Sequence, residues 1–173
     1  INYTLTAGLP GNNGWYTGNV TITWSVVDTE SPAVVDAGCG IGFVDTLASD
    51  TAGATFSCTA TSAGGTSSKT TSTLKRDATP PTISAAATTA PNANGWYSGD
   101  VTIRFTCSDA TSGVAGACPA DVVLTASGSS ATPTIFDNAG NSATSNPVTV
   151  QIDKSAPNVG YAFAPPAPDG NNG

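Results

Sequence analysis

The chain has 173 residues and a net charge of −7, from twelve acidic and five basic side chains with no histidine. Cations this sparse, with no run of them, leave no electrostatic footprint for nucleic acid or an anionic membrane, so neither nucleic-acid binding nor membrane insertion is expected. Only 10% of the residues are charged, whereas threonine (27) and serine (18) abound, a composition that favours strands over helices.

In chain order, Asn13-Gly14-Trp15-Tyr16 forms a lead-in after the turn-like Asn12-Asn13-Gly14. Val20, Ile22, Trp24 and Val26 then alternate with Thr21, Thr23 and Ser25, the period of a half-buried strand. Phe56, Cys58 and Ala60 make another inward-facing set, and Gly64-Gly65 reads as a turn. At Asp77-Ala78-Thr79-Pro80-Pro81 proline fixes φ and removes a donor, so a ladder ends there and a junction begins. The pattern then restarts. Asn94-Gly95-Trp96-Tyr97 repeats the opening tetrapeptide about 80 residues later, and Gly99-Asp100-Val101-Thr102-Ile103 answers Gly18-Asn19-Val20-Thr21-Ile22. Val101, Ile103, Phe105 and Cys107 alternate with polar neighbours, and further inward sets follow at Val122 and Leu124, then at Val148, Val150 and Ile152. Gly128-Ser129 and Asp137-Asn138-Ala139-Gly140-Asn141 read as turns, the second as a hairpin connection. A second junction lies at Asp153-Lys154-Ser155-Ala156-Pro157, and Gly170-Asn171-Asn172-Gly173 repeats Gly11-Asn12-Asn13-Gly14.

No window carries a persuasive helical period. The expected fold is therefore all-β: two tandem sandwiches, residues 1–78 and 79–155, each of roughly seven short strands. Residues 156–173 would be the lead-in strand of a third repeat or a C-terminal extension, and stiff proline junctions predict an extended array.

Units this small gain from cross-links, and each repeat holds two of the four cysteines. A disulfide needs α-carbons within about 7 Å, whereas equivalent points of successive sandwiches lie some 20 Å apart at about 3.3 Å per residue. The expected bonds are Cys39–Cys58 and Cys107–Cys118, which place the chain in an oxidising, extracellular or cell-surface setting.

Catalysis has little to rest on. Glu30 is the only glutamate and there is no histidine, so acid-base chemistry would depend on aspartates such as Asp45 and Asp50, which also serve turns. The abundant hydroxyls have no recognisable activating base, and no enzyme activity is expected. Trp15-Tyr16 and Trp96-Tyr97 occupy the same place in each repeat, as structural anchors would, rather than forming a sugar platform. No cofactor is assigned. Asp28, Glu30, Asp77, Asp109 and Asp153 are the residues from which a calcium site could be built, but calcium asks for six to eight oxygens and no dense acidic run supplies them.

Several of these features together resemble bacterial immunoglobulin-like repeats, with hyalin-type repeats close in pattern. They are the Asn-Gly-Trp-Tyr lead-in, the Val-Thr-Ile strand, the stretch Cys58 to Gly65, its counterpart Phe136 to Asn141, and the Asp-x-x-x-Pro junctions. The first repeat departs from the pattern at Ser62-Ala63-Gly64-Gly65, where the family often shows Asp-x-Ala-Gly-Asn. The resemblance implies a structural, non-catalytic segment of an extracellular bacterial stalk, fibre or filament, partnered by neighbouring repeats of the same protein and by self-assembly. Its alternatives are an adhesive module for glycan or surface protein, and the spacer domains of a secreted enzyme.

Overall fold

The computed structural model describes residues 1–39, 42–162 and 164. All regular structure among them is β, and no helix is long and apolar enough to cross a membrane. The first half contains β1 (Asn2–Ala7), β2 (Trp15–Tyr16), β3 (Val20–Ser25), β4 (Val34–Ala37), β5 (Val44–Leu47), β6 (Thr51–Ala54), β7 (Ser57–Ser62), β8 (Gly65–Thr70) and β9 (Leu74–Arg76). These strands form three small sheets, ordered β1-β3-β5, β2-β9-β6 and β4-β7-β8.

The second half contains β10 (Thr82–Ala87), β11 (Trp96–Tyr97), β12 (Val101–Ser108), β13 (Val122–Leu124), β14 (Gly128–Ser129), β15 (Thr134–Phe136), β16 (Ser142–Thr144) and β17 (Thr149–Ile152). Its sheets run β10-β12-β13, β11-β17-β14 and β15-β16, and no sheet mixes strands of the two halves. Residues 156–162 and 164 form no strand, and the Gly170–Gly173 lead-in lies outside the described residues.

The alternation read from β3 and β12 is realised side chain by side chain. Val20, Ile22 and Trp24 are buried while Thr23 and Ser25 face water, and Val101, Ile103 and Phe105 do the same on β12. Each strand seeds a separate core. Cys39, Leu47, Cys58 and Leu74 complete the first, and Val150 joins the second, with Ile83, Ala85, Val122 and Leu124 packed around it. The Trp24 indole N–H, which would otherwise be stranded in the core, donates to Asp45 Oδ2 at 2.7 Å, and Tyr3 packs edge-on against the ring at 5.4 Å.

Cys39 bonds Cys58 and Cys107 bonds Cys118, with Cα–Cα distances of 4.4 and 5.7 Å. These are the expected pairs, one within each half.

Three features differ from expectation. Gly128-Ser129 is a short strand rather than a turn, paired with Val150 and Thr149 of β17. The Trp-Tyr dipeptides are themselves strands: β2 pairs in parallel with β9, and β11 with β17, so each half ties its lead-in to its last strand. Third, β8 has no apolar side chain and pairs with β7, whose Cys58 and Ala60 stay buried, through hydroxyls on the opposite face. Ser57 meets Thr70, Thr59 meets Ser68 and Thr61 meets Thr66, each at 2.7 Å, in a ladder along an exposed face.

The interlocked junction and its carboxylate cluster

The linker does not leave the two halves independent. Asn12 N–H donates to the Ala139 carbonyl at 2.8 Å, and the Asn13 side-chain amide donates to the Asn138 carbonyl at 3.1 Å. The lead-in turn of the first half thus bears on the Asp137–Asn141 turn of the second. Gly11 is what permits the approach: a Cβ there would lie 2.5 Å from the Ala139 carbonyl oxygen, closer than real Cβ contacts come. On the other side, Gly140 has φ +103, a conformation L side chains rarely adopt, and it faces the Asn12 side chain.

Asp77 is the hinge of this contact and is fully buried. Its Oδ1 accepts from Thr79 N–H at 3.1 Å and its Oδ2 from Ser112 N–H at 3.0 Å, while its carbonyl accepts from Asn141 Nδ2 at 3.0 Å. Asp109, at the end of β12, accepts from the Thr111 and Gly113 amides and the Ser112 hydroxyl. Asp137, 1% exposed, accepts from the Gly140 and Asn141 amides and from Asn141 Nδ2. One carboxylate oxygen from each of Asp77, Asp109 and Asp137 lies within 4.8 Å of the others. Antiparallel pairing of β10 with β12 explains half of this, because it returns the end of β12 to the start of β10, just after Asp77.

Like charges brought that close repel one another. Among the described residues no lysine or arginine forms an ion pair with any of the three. The donors that converge are all oxygen, the kind a hard cation such as calcium takes. Of the residues singled out from the sequence as calcium ligands, the fold brings together Asp77 and Asp109 and adds Asp137, which was read only as part of a turn. The other three lie elsewhere. Asp28 and Glu30 sit in a loop of the first half, where the Ser62 hydroxyl and the Glu30 and Ser31 amides hold the Asp28 carboxyl down at about 2. Asp153 occupies in the second half the place of Asp77, but its carboxylate accepts only from Ser155 N–H among the described residues.

A second carboxylate braces the linker from the first half. Asp50 pairs with Arg76 and accepts from Ala78 N–H at 3.0 Å and from the Thr79 hydroxyl. Burial alone would raise this carboxyl, but the Thr79 hydroxyl, the Ala78 amide and the Arg76 charge together hold it below the usual carboxylate range.

The aromatic anchors diverge. Trp15 is 9% exposed, with the Lys75 ammonium 5.0 Å from its ring centroid and donating to the Asn13 carbonyl. Trp96 is 41% exposed. Its strand partner on β17 is Gln151, where Trp15 has Lys75 on β9. Tyr16 and Tyr97 are both half-buried.

No protein-family model matches the chain, and no curated protein matches it.

Proposed function

We propose that the chain is a structural, non-catalytic segment of an extracellular bacterial stalk or fibre, in which residues 1–78 and 79–155 are immunoglobulin-like sandwiches held rigidly end to end. The carrying observation is the interlock of Gly11-Asn12-Asn13 with Asn138-Ala139-Gly140 around buried Asp77. A flexible linker would need none of these contacts, whereas a load-bearing or distance-setting segment requires them. One disulfide in each half suits an oxidising environment. The outward hydroxyl ladder of β7–β8 solvates a strand face without salt-sensitive charges.

We propose separately that Asp77, Asp109 and Asp137 supply three of the six to eight oxygens that a calcium ion takes. A cation there would relieve their mutual repulsion and fasten the linker to two loops of the second half. Millimolar calcium is expected to raise the melting temperature of the chain, and Asp137→Asn to abolish that rise. An unchanged melting curve in calcium, scanned against a chelator control, would remove the ion from the proposal and leave the interlock standing.

The rigid junction has its own test in Gly11→Asn. The second half carries asparagine at the matching place, residue 92, in a turn with the same closing bond: Gly11 N–H to Trp15 O at 2.9 Å, Asn92 N–H to Trp96 O at 2.8 Å. The new Cβ would be driven into the Ala139 carbonyl, and within the first half it would stand 3.0 Å from Thr17 Cγ2, where the second half has Ser98, so the substitution is made together with Thr17→Ser to spare the first-half fold. In 15N relaxation measurements the two halves of the native chain should tumble as one body, and those of the variant as two. Independent tumbling of the native halves would overturn the proposal.

A further inference from the structure

The segment that leads from the first strand to the Trp-Tyr turn is one residue shorter in the second half than in the first. Ala7 stands opposite Val20, and Gly8-Leu9-Pro10 carry the chain from there to the turn at Gly11. Continuing the β10–β12 register past Ala87 and Ile103 sets Thr89 opposite Val101, with only Ala90-Pro91 before the matching turn at Asn92. In the first half the longer segment zips onto its neighbour: Gly8 N–H donates to Asn19 O and Thr17 N–H to Leu9 O, both at 3.1 Å, and Pro10 bridges Tyr16. In the second half the ladder ends with Thr88 N–H on Thr102 O, and among the described residues no backbone bond joins 89–91 to 97–100. The two segments part there and leave a recess of about 320 Å³, whose lining includes Thr89, Asn92, Trp96, Tyr97, Ser98 and Asp100.

Trp96, 41% exposed, gives the recess an aromatic wall. The polar groups around that ring are free to bond a ligand. Asn92 Oδ1 accepts from the Asn94 and Trp96 amides at 2.9 and 3.0 Å, which fixes the side-chain amide and leaves Nδ2 to donate. The Thr89, Tyr97 and Ser98 hydroxyls and Trp96 Nε1 bond no described residue. Asp100 is the only charged residue of the lining, and it is paired with Lys154, which also donates to Thr125 O at 2.8 Å. An anionic ligand would therefore meet no free cation, and a wholly apolar one would strip water from the amide and hydroxyls without replacing its bonds. What fits is a neutral molecule with one apolar face and several hydroxyls. The volume lies at the small end of the range for ligand pockets and has room for about a dozen non-hydrogen atoms, the size of one hexose ring.

We propose that this recess binds one neutral hexose unit of a glycan, with the C–H face of the sugar stacked on the Trp96 indole and its hydroxyls bonded to Asn92 Nδ2 and Ser98 Oγ. The first half has no such site: Gly11 stands in place of the amide, Trp15 is 9% exposed with Lys75 over its ring, and the lead-in is zipped shut. Nor is the recess the surface by which one unit bears on the next. The first half contacts the second through Gly11, Asn12 and Asn13. Of their counterparts, Asn92, Ala93 and Asn94, only Asn92 lines the recess. Sugar binding is additional to the structural role, and its failure would leave the rigid junction untouched.

The test titrates cellobiose, maltose and, as a polyol control, glycerol to millimolar concentration into the full 15N-labelled chain. One or both disaccharides should shift the Trp96 indole N–H and the Asn92 side-chain amide resonances saturably while those of Trp15 and Trp24 stay in place, and glycerol should shift none of them. Asn92→Gly installs the residue that the first half carries in the same turn, and should weaken binding about tenfold. Trp96→Ala should abolish it, and Trp96→Tyr should keep part of it. Absence of movement with both disaccharides would overturn the proposal. So would shifts that glycerol reproduces, shifts confined to other residues, or an affinity that neither Asn92→Gly nor Trp96→Ala changes.

Discussion

Replacing Trp15 with alanine is expected to destabilise the first half by about 3 to 5 kcal/mol, and Trp96→Ala to cost the second half no more than about half as much. The sequence places the two rings in identical tetrapeptides, so any difference must come from surroundings. Trp15 is 9% exposed under the Lys75 ammonium, whereas Trp96 is 41% exposed. Truncating the first leaves a cavity and strips the cation of its ring, while truncating the second removes area already half in water. Thermal unfolding of the two variants, each followed by a probe in its own half, measures the contrast directly. Equal losses would show that Trp96 is a buried anchor in solution.

Removing Cys39–Cys58 through paired alanines is expected to cost about 3 kcal/mol, or some 10 to 20 °C for a unit of this size. The loop it closes spans 19 residues, against 11 for Cys107–Cys118, so chain entropy makes the first bond worth about 0.5 kcal/mol more than the second. Burial widens the gap in the same direction, because Cys58 lies fully inside the first core while Cys107 and Cys118 are only half-buried. Urea denaturation of the two double variants would show the ordering. A larger loss from the second pair would mean that strain or denatured-state structure, and not loop closure, governs these bonds.

Much of the strand content was legible because it is written in apolar alternation. Val20, Ile22 and Trp24, and then Val101, Ile103 and Phe105, announce β3 and β12 without ambiguity. β8 was not legible: Gly65-Thr66-Ser67-Ser68-Lys69-Thr70 has no apolar residue, and what holds it is backbone pairing plus hydroxyl contacts across to β7. The parallel pairing of β2 with β9 escaped because its partners lie at opposite ends of the unit and only two residues take part. The all-β class and the disulfide pairs could be reasoned out from spacing, but the carboxylate cluster could be read only in part. Asp77 and Asp109 are brought close by one antiparallel pair, whereas Asp137 arrives on a separate hairpin whose place depends on the whole second half. Its signal was the Asp137–Asn141 turn itself, an aspartate whose carboxylate collects two amides of its own loop.

The disulfides also set how far such a chain could lengthen under tension. Once a unit gives way, every residue released adds about 3.5 Å of reach, but those enclosed by a cross-link add nothing. Cys39–Cys58 therefore withholds about 65 Å of extension from the first half, and Cys107–Cys118 about 40 Å from the second. The first half has the deeper core contacts around its cross-link and the larger withheld length. A pulled segment would thus yield in two unequal steps, each shortened by a covalent stop that reduction would release.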